Sequence, residues 1–327
     1  MSRLDALFER DLEDLAREAQ RLTRQYFGRA ISLFAPLYLS NYCENGCLYC
    51  GFSSRMPIQR EKLTPEQIDA ECKALSGSGI QNVLLLTGES RVHSPLGYLL
   101  QAVEIAKRCF PNIAIEVQPM DTADYKTLVA AGVDGLTVFQ ETYDEALYTT
   151  LHPSGRKHDY RYRYNTPARA AEAGIRRIGF GALLGLNDWR PEAEALFAHV
   201  ANIEKRFPGV DLAISFPRLL PISGAAVQPK PVGDGDLVRI MCIARILFSR
   251  AGIILSTREN ARFRDHVFPI MVTQLSAASA TTVGGYARPR VNHDEQFAPS
   301  DERSLAEIKE MLITQGYDPV FTDWRRL

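Results

Sequence analysis

The stretch that decides the fold reads Ile31-Ser32-Leu33-Phe34-Ala35-Pro36-Leu37-Tyr38-Leu39, followed directly by Ser40-Asn41-Tyr42-Cys43-Glu44-Asn45-Gly46-Cys47-Leu48-Tyr49-Cys50-Gly51-Phe52. Residues 31–39 are apolar and predict a strand. The loop after them carries three cysteines in the spacing C-x3-C-x2-C. Upstream, Leu4, Leu7, Phe8, Leu12, Leu15, Ala19 and Leu22 recur among charges every three or four residues. That period predicts one amphipathic helix over 4–27, stopped by Gly28. Downstream an alternation sets in. Strand-like runs fall at 83–87, 113–118, 135–140, 178–183, 212–216, 253–256 and, more weakly, 273–278. Helix-period segments fall at 64–76, 96–109, 123–131, 166–173, 191–207, 235–251, 261–271 and 300–314. Thr64-Pro65-Glu66-Gln67 opens the first of these with an N-cap and a proline at the first helical position.

Strands that alternate with helices imply a parallel sheet with right-handed crossovers. Eight such units over roughly 300 residues suit an α/β fold of the (β/α)8 TIM-barrel type, with an open doubly wound sheet as the alternative. The expectation is one domain over 1–327: an N-terminal helix in 1–30, the barrel in 31–280 and a C-terminal helical extension in 281–327. The Pro- and Gly-rich stretch 221–235 reads as a long loop after a strand.

Charge narrows the partners. The 327 residues carry 38 Lys+Arg against 39 Asp+Glu, a net charge of -1, which argues against a broad basic surface for nucleic acid. No run of about 18 apolar residues is present, so no membrane span is expected. The charged N-terminus gives no signal peptide, and a cytoplasmic protein is expected.

Six cysteines are too few for a disulfide scaffold of this length. Cys72, Cys109 and Cys242 fall in expected helices and read as core residues. Cys43, Cys47 and Cys50 sit just after the first strand, at the barrel mouth where catalysis belongs. Three close thiolates suit an iron–sulfur cluster with one iron left open. A zinc site would want a fourth ligand, and no further Cys or His lies at short spacing. A non-catalytic iron–sulfur or zinc protein remains the alternative from another class.

With an aromatic residue, Tyr49, before its last cysteine, this motif resembles the radical S-adenosylmethionine (SAM) superfamily. The resemblance implies a [4Fe-4S] cluster on Cys43, Cys47 and Cys50 whose free iron chelates SAM, and a 5′-deoxyadenosyl radical. The strand ends carry polar residues of matching type. They are Thr87-Gly88-Glu89, Glu116-Val117-Gln118-Pro119, Gln140-Glu141-Thr142-Tyr143, and Gly179-Phe180-Gly181-Ala182 with Leu183 to Leu186. Further on come Ser215-Phe216-Pro217-Arg218-Leu219-Leu220-Pro221, Ser256-Thr257-Arg258-Glu259, Gln274 to Ser279, and Gly284-Gly285-Tyr286-Ala287. Glycines such as Gly181 would let the backbone approach the adenine. The Arg-, Lys- and Tyr-rich run 156–164 reads mostly as a solvated face, with stacking on RNA as the alternative.

Together these segments, spread from Leu15 to Trp324, resemble the 2-iminoacetate synthase family, the tyrosine lyases of thiamine thiazole biosynthesis. The resemblance implies cleavage of the Cα–Cβ bond of L-tyrosine. The products would be 2-iminoacetate (dehydroglycine) and p-cresol, with 5′-deoxyadenosine and methionine from SAM. It implies a place for Tyr49 near the adenine, for Glu89 and Glu141 on SAM, and for Arg163 on the SAM carboxylate. It also implies a low-potential donor such as flavodoxin or ferredoxin, and thiazole synthase as partner. Arg258 is the expected cation for the substrate carboxylate, because that group calls for a permanent, bidentate partner. Ser276, Ser279 and Tyr38 are expected to line the same pocket. A related lyase acting on tryptophan or another amino acid is the alternative within the class. Three departures stand out. The chain starts almost at its first helix, Leu220 stands where the family commonly has Arg, and no cysteine follows Cys242. The last point argues against the onward chemistry of the related hydrogenase-maturation tyrosine lyase, which carries a second, C-terminal cysteine cluster.

Overall fold

The computed structural model describes residues 3–220, 227–288 and 295–321. Pro221 of the expected motif, part of the loop 221–235, and the tail from 322, with Trp324, lie outside them. The chain opens with α1 (Arg3–Phe8) and α2 (Leu12–Phe27), then β1 (Ala30–Ser40). The units that follow are α3 (Pro65–Gly77) and β2 (Asn82–Thr87), α4 (Leu96–Ala106) and β3 (Asn112–Glu116), α5 (Thr122–Ala131) and β4 (Gly135–Glu141). Short helices α6 (Glu145–Leu151), α7 (Tyr160–Tyr164) and α8 (Thr166–Glu172) lead to β5 (Arg177–Ala182). Next come α9 (Trp189–Arg206) and β6 (Asp211–Ser215), α10 (Asp234–Leu247) and β7 (Gly252–Leu255), α11 (Ala261–Met271) and β8 (Gln274–Ser276). The chain returns through α12 (Leu305–Thr314) and β9 (Asp318–Val320).

Every strand pairing is parallel, and β1 bonds both β2 and β8, so the eight strands β1–β8 close into a barrel. The open-sheet alternative is therefore excluded. On β1, Leu33, Ala35, Leu37 and Leu39 are fully buried between barrel and helices. Phe34, Pro36 and Tyr38 alternate with them and line the lumen. Caps fix the helices around this shell. Thr64 and Gln67 form a capping box at α3, behind Pro65. Ser304 and Glu307 do the same at α12.

Some expectations needed correction. The first helix is two helices, because Asp11 turns the chain and accepts hydrogen bonds from the N–H groups of Glu13 and Asp14. Cys109 lies in the turn beyond α4, partly buried, whereas Cys72 and Cys242 are buried in the core. The C-terminal segment is not only helical. Its β9 pairs with β1 at Ala30, Ile31 and Ser32. Ser32 pairs with Gln274 and also with Val320, so β9 lies on the side of β1 opposite β8, below the start of β2.

The seam between β1 and β8 is short, because β8 ends at Ser276. Above it, loop groups take over the β1 edge. Ala277 N donates to Phe34 O (3.0 Å), the Tyr286 hydroxyl to Pro36 O (2.6 Å) and Gly284 N to Tyr38 O (2.9 Å). Pro36 has no N–H, and it stands where no strand faces this edge. Gly284 has φ +73° and lies where a Cβ would crowd the buried Glu71 carboxylate, so only glycine fits this turn. Glu71 holds the turn by accepting from Tyr286 N (2.7 Å) and Ala287 N (3.0 Å).

Candidate active site

The cysteine loop covers the C-terminal mouth of the barrel and is braced from three directions. Glu44 N donates to Glu89 O (2.9 Å), Gly46 N to Ser154 O (3.1 Å) and Leu48 N to Leu151 O (3.1 Å). The Arg60 guanidinium donates to the carbonyls of Asn41, Phe52 and Ser53 at 2.7, 2.8 and 2.6 Å, closing the loop on itself. Gly88 lets the loop sit against the end of β2. A methyl there would collide with Tyr42 O and come within 3.1 Å of Cys43 Cβ.

Cys43, Cys47 and Cys50 are free thiols; Cys47 is buried and the other two are partly so. Burial pushes the Cys43 thiol up to about 11, with Glu89 and Cys50 adding to the rise. The N–H groups of Asn45 and Glu89 pull the other way. Burial also raises Cys47 and Cys50 against the field of Lys157, and Phe52 N–H bonds the Cys50 sulfur. Thiols in this setting ionise at neutral pH only beside a strong cationic centre.

Beside the loop lies a buried charge cluster. Arg163 Nη1 bonds Glu89 Oε1 at 2.7 Å, and its Nε donates to Phe139 O at 2.6 Å. Lys157 Nζ lies 2.6 Å from Glu141 Oε1 and 4.0 Å from Glu89 Oε1. Asn45 Nδ2 donates to the second oxygen of Glu89 (2.9 Å). Burial alone would raise both carboxyls, but Arg163 and Lys157 outweigh it and hold them below the usual range. Glu141 sits at a bulge of β4 with φ +73°, a strained conformation that turns its carboxylate toward Lys157. A cavity of about 340 Å³ opens beside the cluster, lined by Glu44, Asn45, Glu89, Gln118, Lys157 and Arg163. Gln118 Oε1 is buried there without a hydrogen-bond partner among the described residues, and so is the nearby Thr87 hydroxyl.

The run 156–164 is thus not one solvated face. Arg161 is exposed, but Lys157 and Arg163 are buried ion-pair partners. Lys157 was absent from the expected site. The signal that could have found it is the pair of acids after β2 and β4, which needs two cations.

A second cavity, of about 220 Å³, fills the lumen beneath the loop. Cys50, Tyr38, Tyr49, Arg258, Ser276 and Ser279 all face it. The Tyr38 hydroxyl donates to Gln296 Oε1 (2.7 Å). The Arg258 guanidinium stacks at 3.5 Å on Phe297, and no carboxylate among the described residues pairs with it. Burial holds its pKa below the ordinary arginine value. Ser276 Oγ accepts from Thr257 N (3.0 Å), while the buried Ser279 hydroxyl has no partner among the described residues. Ala278, between them, has φ +50°. Gln296 and Phe297 come from the C-terminal segment, which sequence reading had not brought to the site. Arg264, paired with the buried Asp301, donates to Ser276 O (2.5 Å) and ties that segment down.

Tyr49 donates to His152 Nε2 (2.8 Å). His152 Nδ1 is 2.7 Å from Tyr148 O, so that nitrogen carries the proton and Nε2 accepts. Gly181 lies under the Phe139 ring, where a Cβ would clash; it makes room for that ring.

Residues 37–198 match the Radical SAM superfamily, and residues 215–318 match the Biotin and Thiamin Synthesis associated domain. The 2-iminoacetate synthase of Salmonella typhimurium is 40% identical over 316 residues, covering 96% of this chain and 83% of that protein. The chain belongs to the 2-iminoacetate synthase family of radical SAM enzymes. The Escherichia coli family member shows the same identity and coverage. Among solved structures, HydG, a maturase of the [FeFe]-hydrogenase, superimposes with a TM-score of 0.92 at 34% identity, over 98% of this chain and 72% of its own. Family membership makes the chain an enzyme that uses a [4Fe-4S] cluster and SAM and needs an electron donor.

The residues present fit both groups. Three thiols on one braced loop, with backbone N–H groups directed at two of the sulfurs, are the donor set of an iron–sulfur cluster. The charged cavity next to them offers acids, bases and orphaned polar atoms to a zwitterionic, hydroxyl-bearing ligand. Among the described residues no helix is long and apolar enough to cross a membrane.

Proposed function

We propose that this protein cleaves the Cα–Cβ bond of L-tyrosine to 2-iminoacetate and p-cresol, with 5′-deoxyadenosine and methionine formed from SAM, for thiamine thiazole biosynthesis. The observation that carries the reading is the likeness to 2-iminoacetate synthases along nearly the whole chain, joined to a barrel lumen directly under the cysteine loop. When bound, cluster and SAM supply a 5′-deoxyadenosyl radical.

Cys43, Cys47 and Cys50 would hold the cluster. Glu89, Glu141, Arg163 and Lys157 would grip the charged end of SAM, and Tyr49 is the neighbouring ring, fixed by His152. Arg258 binds the substrate carboxylate, its guanidinium plane set by Phe297. Tyr38, Ser276 and Ser279 contribute hydroxyls to the same lumen, and its apolar wall excludes water from the reacting carbon. A flavodoxin- or ferredoxin-like donor supplies the electrons, a reducing cytoplasm keeps the cluster intact, and thiazole synthase receives the unstable imine.

The test is product analysis with anaerobically reconstituted protein, SAM, tyrosine and a strong reductant. The expected products are p-cresol and 5′-deoxyadenosine in step with each other. An indole product from tryptophan with no p-cresol from tyrosine overturns the substrate. A colourless protein with zinc and no iron overturns the reaction class.

A further inference from the structure

The lumen contains a second charged group that the reading above leaves unused. Glu116 is the last residue of β3. Its register partner on β2 is Leu86, and that of Leu86 on β1 is Tyr38, so Glu116 stands two strands from Tyr38 at the same register level. Its side chain lines the cavity that Arg258 also lines. Arg258 lies three residues beyond the end of β7, on the facing wall. Among the described residues no group donates a hydrogen bond to the Glu116 carboxyl, and none forms an ion pair with it. Glu116 and Arg258 thus share this cavity, neither with an ion-pair partner among the described residues and each within the other's electrostatic field.

We propose that Glu116 is the receptor for the ammonium group of the amino-acid substrate, opposite Arg258, which takes its carboxylate. The inference rests on the lyase reading and adds to it the group that reads the substrate's positive end. Three observations support it. First, a half-buried carboxyl in the lumen with no hydrogen-bond donor is poorly solvated there, and a ligand that brings an N–H⁺ group removes that cost. Second, the charges of an α-amino acid sit on neighbouring atoms, so a site that holds both ends needs one group of each sign in one chamber. Third, Phe34, Leu84, Leu86, Phe139 and Ile254 give this cavity apolar surface that suits an aryl ring, with the head group left to the charged pair.

The surroundings fit a carboxyl kept for a ligand. Burial, with Glu141 adding to it, pushes Glu116 up to about 7, while Arg163, Arg258 and Lys157 pull it down. Glu141, which lines the same cavity, is already paired with Lys157, whereas Glu116 has no ion-pair partner among the described residues. Glu116 in turn raises Tyr38, the other titratable group on this level.

The test uses reconstituted enzyme with SAM and no reductant, so that binding is read without turnover. Calorimetry compares tyrosine, phenylalanine and 3-(4-hydroxyphenyl)propanoate, which lacks the ammonium, on wild type, Glu116→Gln and Glu116→Asp. Wild type is expected to bind the deamino compound about tenfold or more weaker than tyrosine. Glu116→Gln is expected to lose about tenfold for both tyrosine and phenylalanine and to stay within about twofold for the deamino compound. Glu116→Asp, which keeps the charge, is expected to fall between the two, and SAM affinity to stay level throughout. An equal loss for tyrosine and the deamino compound, with phenylalanine unaffected, makes Glu116 a phenol receptor and overturns the proposal. Unchanged tyrosine affinity in Glu116→Gln also overturns it, and if wild type still forms p-cresol, the lyase reading stands without it. Failure of wild type to form p-cresol overturns the lyase reading by itself.

Discussion

Lys157 Nζ lies 2.6 Å from Glu141 Oε1, in a contact whose two side chains are only 10% and 11% exposed. One ammonium from the loop before α7 therefore holds the carboxylate that the β4 bulge turns into the site. A buried pair of this kind is costly to break from one side, because the remaining charge keeps its desolvation cost.

Lys157→Met is expected to destabilise the protein by about 3 kcal/mol at neutral pH. The sign of the pH dependence follows from Glu141, whose carboxyl is held below its ordinary value. Its contribution is complete above the unfolded value of about 4.3 and is lost as pH falls through the depressed one. Urea melts of both proteins at pH 7 and at pH 3.5 should show the difference shrinking in acid. An equal difference at both pH values would sink the ion-pair account.

Arg258→Lys is expected to keep the iron content and visible absorbance of wild type while raising KM for tyrosine about tenfold or more. A lysine keeps the charge but offers neither the bidentate fork nor the plane that stacks on Phe297. Steady-state p-cresol formation checks it, and unchanged tyrosine use refutes the assignment.

Gly88→Ala is expected to lower bound iron by more than about half, because the backbone under Cys43 must move. The barrel has no other reason to change, so far-UV circular dichroism should match wild type. Full iron loading in this variant would show that the loop tolerates the shift.

Two buried histidines set the acid limb above the carboxylates. Burial holds His152 down to about 2 and His199 down to about 4. Both stay neutral in the fold, while the unfolded chain takes up protons below about pH 6.5. Stability is therefore full above that pH and falls below it. His199→Gln, which gives up stacking on Tyr164, should be less stable at pH 7.5 but lose less on going to pH 5, by about 1.4 kcal/mol per pH unit. Parallel pH profiles would refute this.

The strand and helix periods made the barrel legible, since each lumen strand begins and ends within about two residues of its apolar run. The three-residue β9 carries Pro319 and has no period to read, so it was missed. The cysteine spacing pointed directly to the mouth. Lys157 was harder to place. Lys157 sits in a run whose other members, such as Arg161, are exposed, and sequence order does not say which of them folds inward. Glu116 was legible as a polar strand end, but its lack of a partner among the described residues shows only in three dimensions, and spacing carries no record of that.

The seam between β1 and β8 also sets an order of events along the growing chain. The cysteine loop is complete once Lys62 is made, yet the strand before it has no neighbour on its β8 side until Gln274 follows. Its lower edge waits longer still, for Asp318. The loop is thus made early, whereas the barrel wall beside its strand can close only once residues of β8 and β9, more than 200 residues later, are present, so this long-range pairing is the last step that completes the barrel around the site.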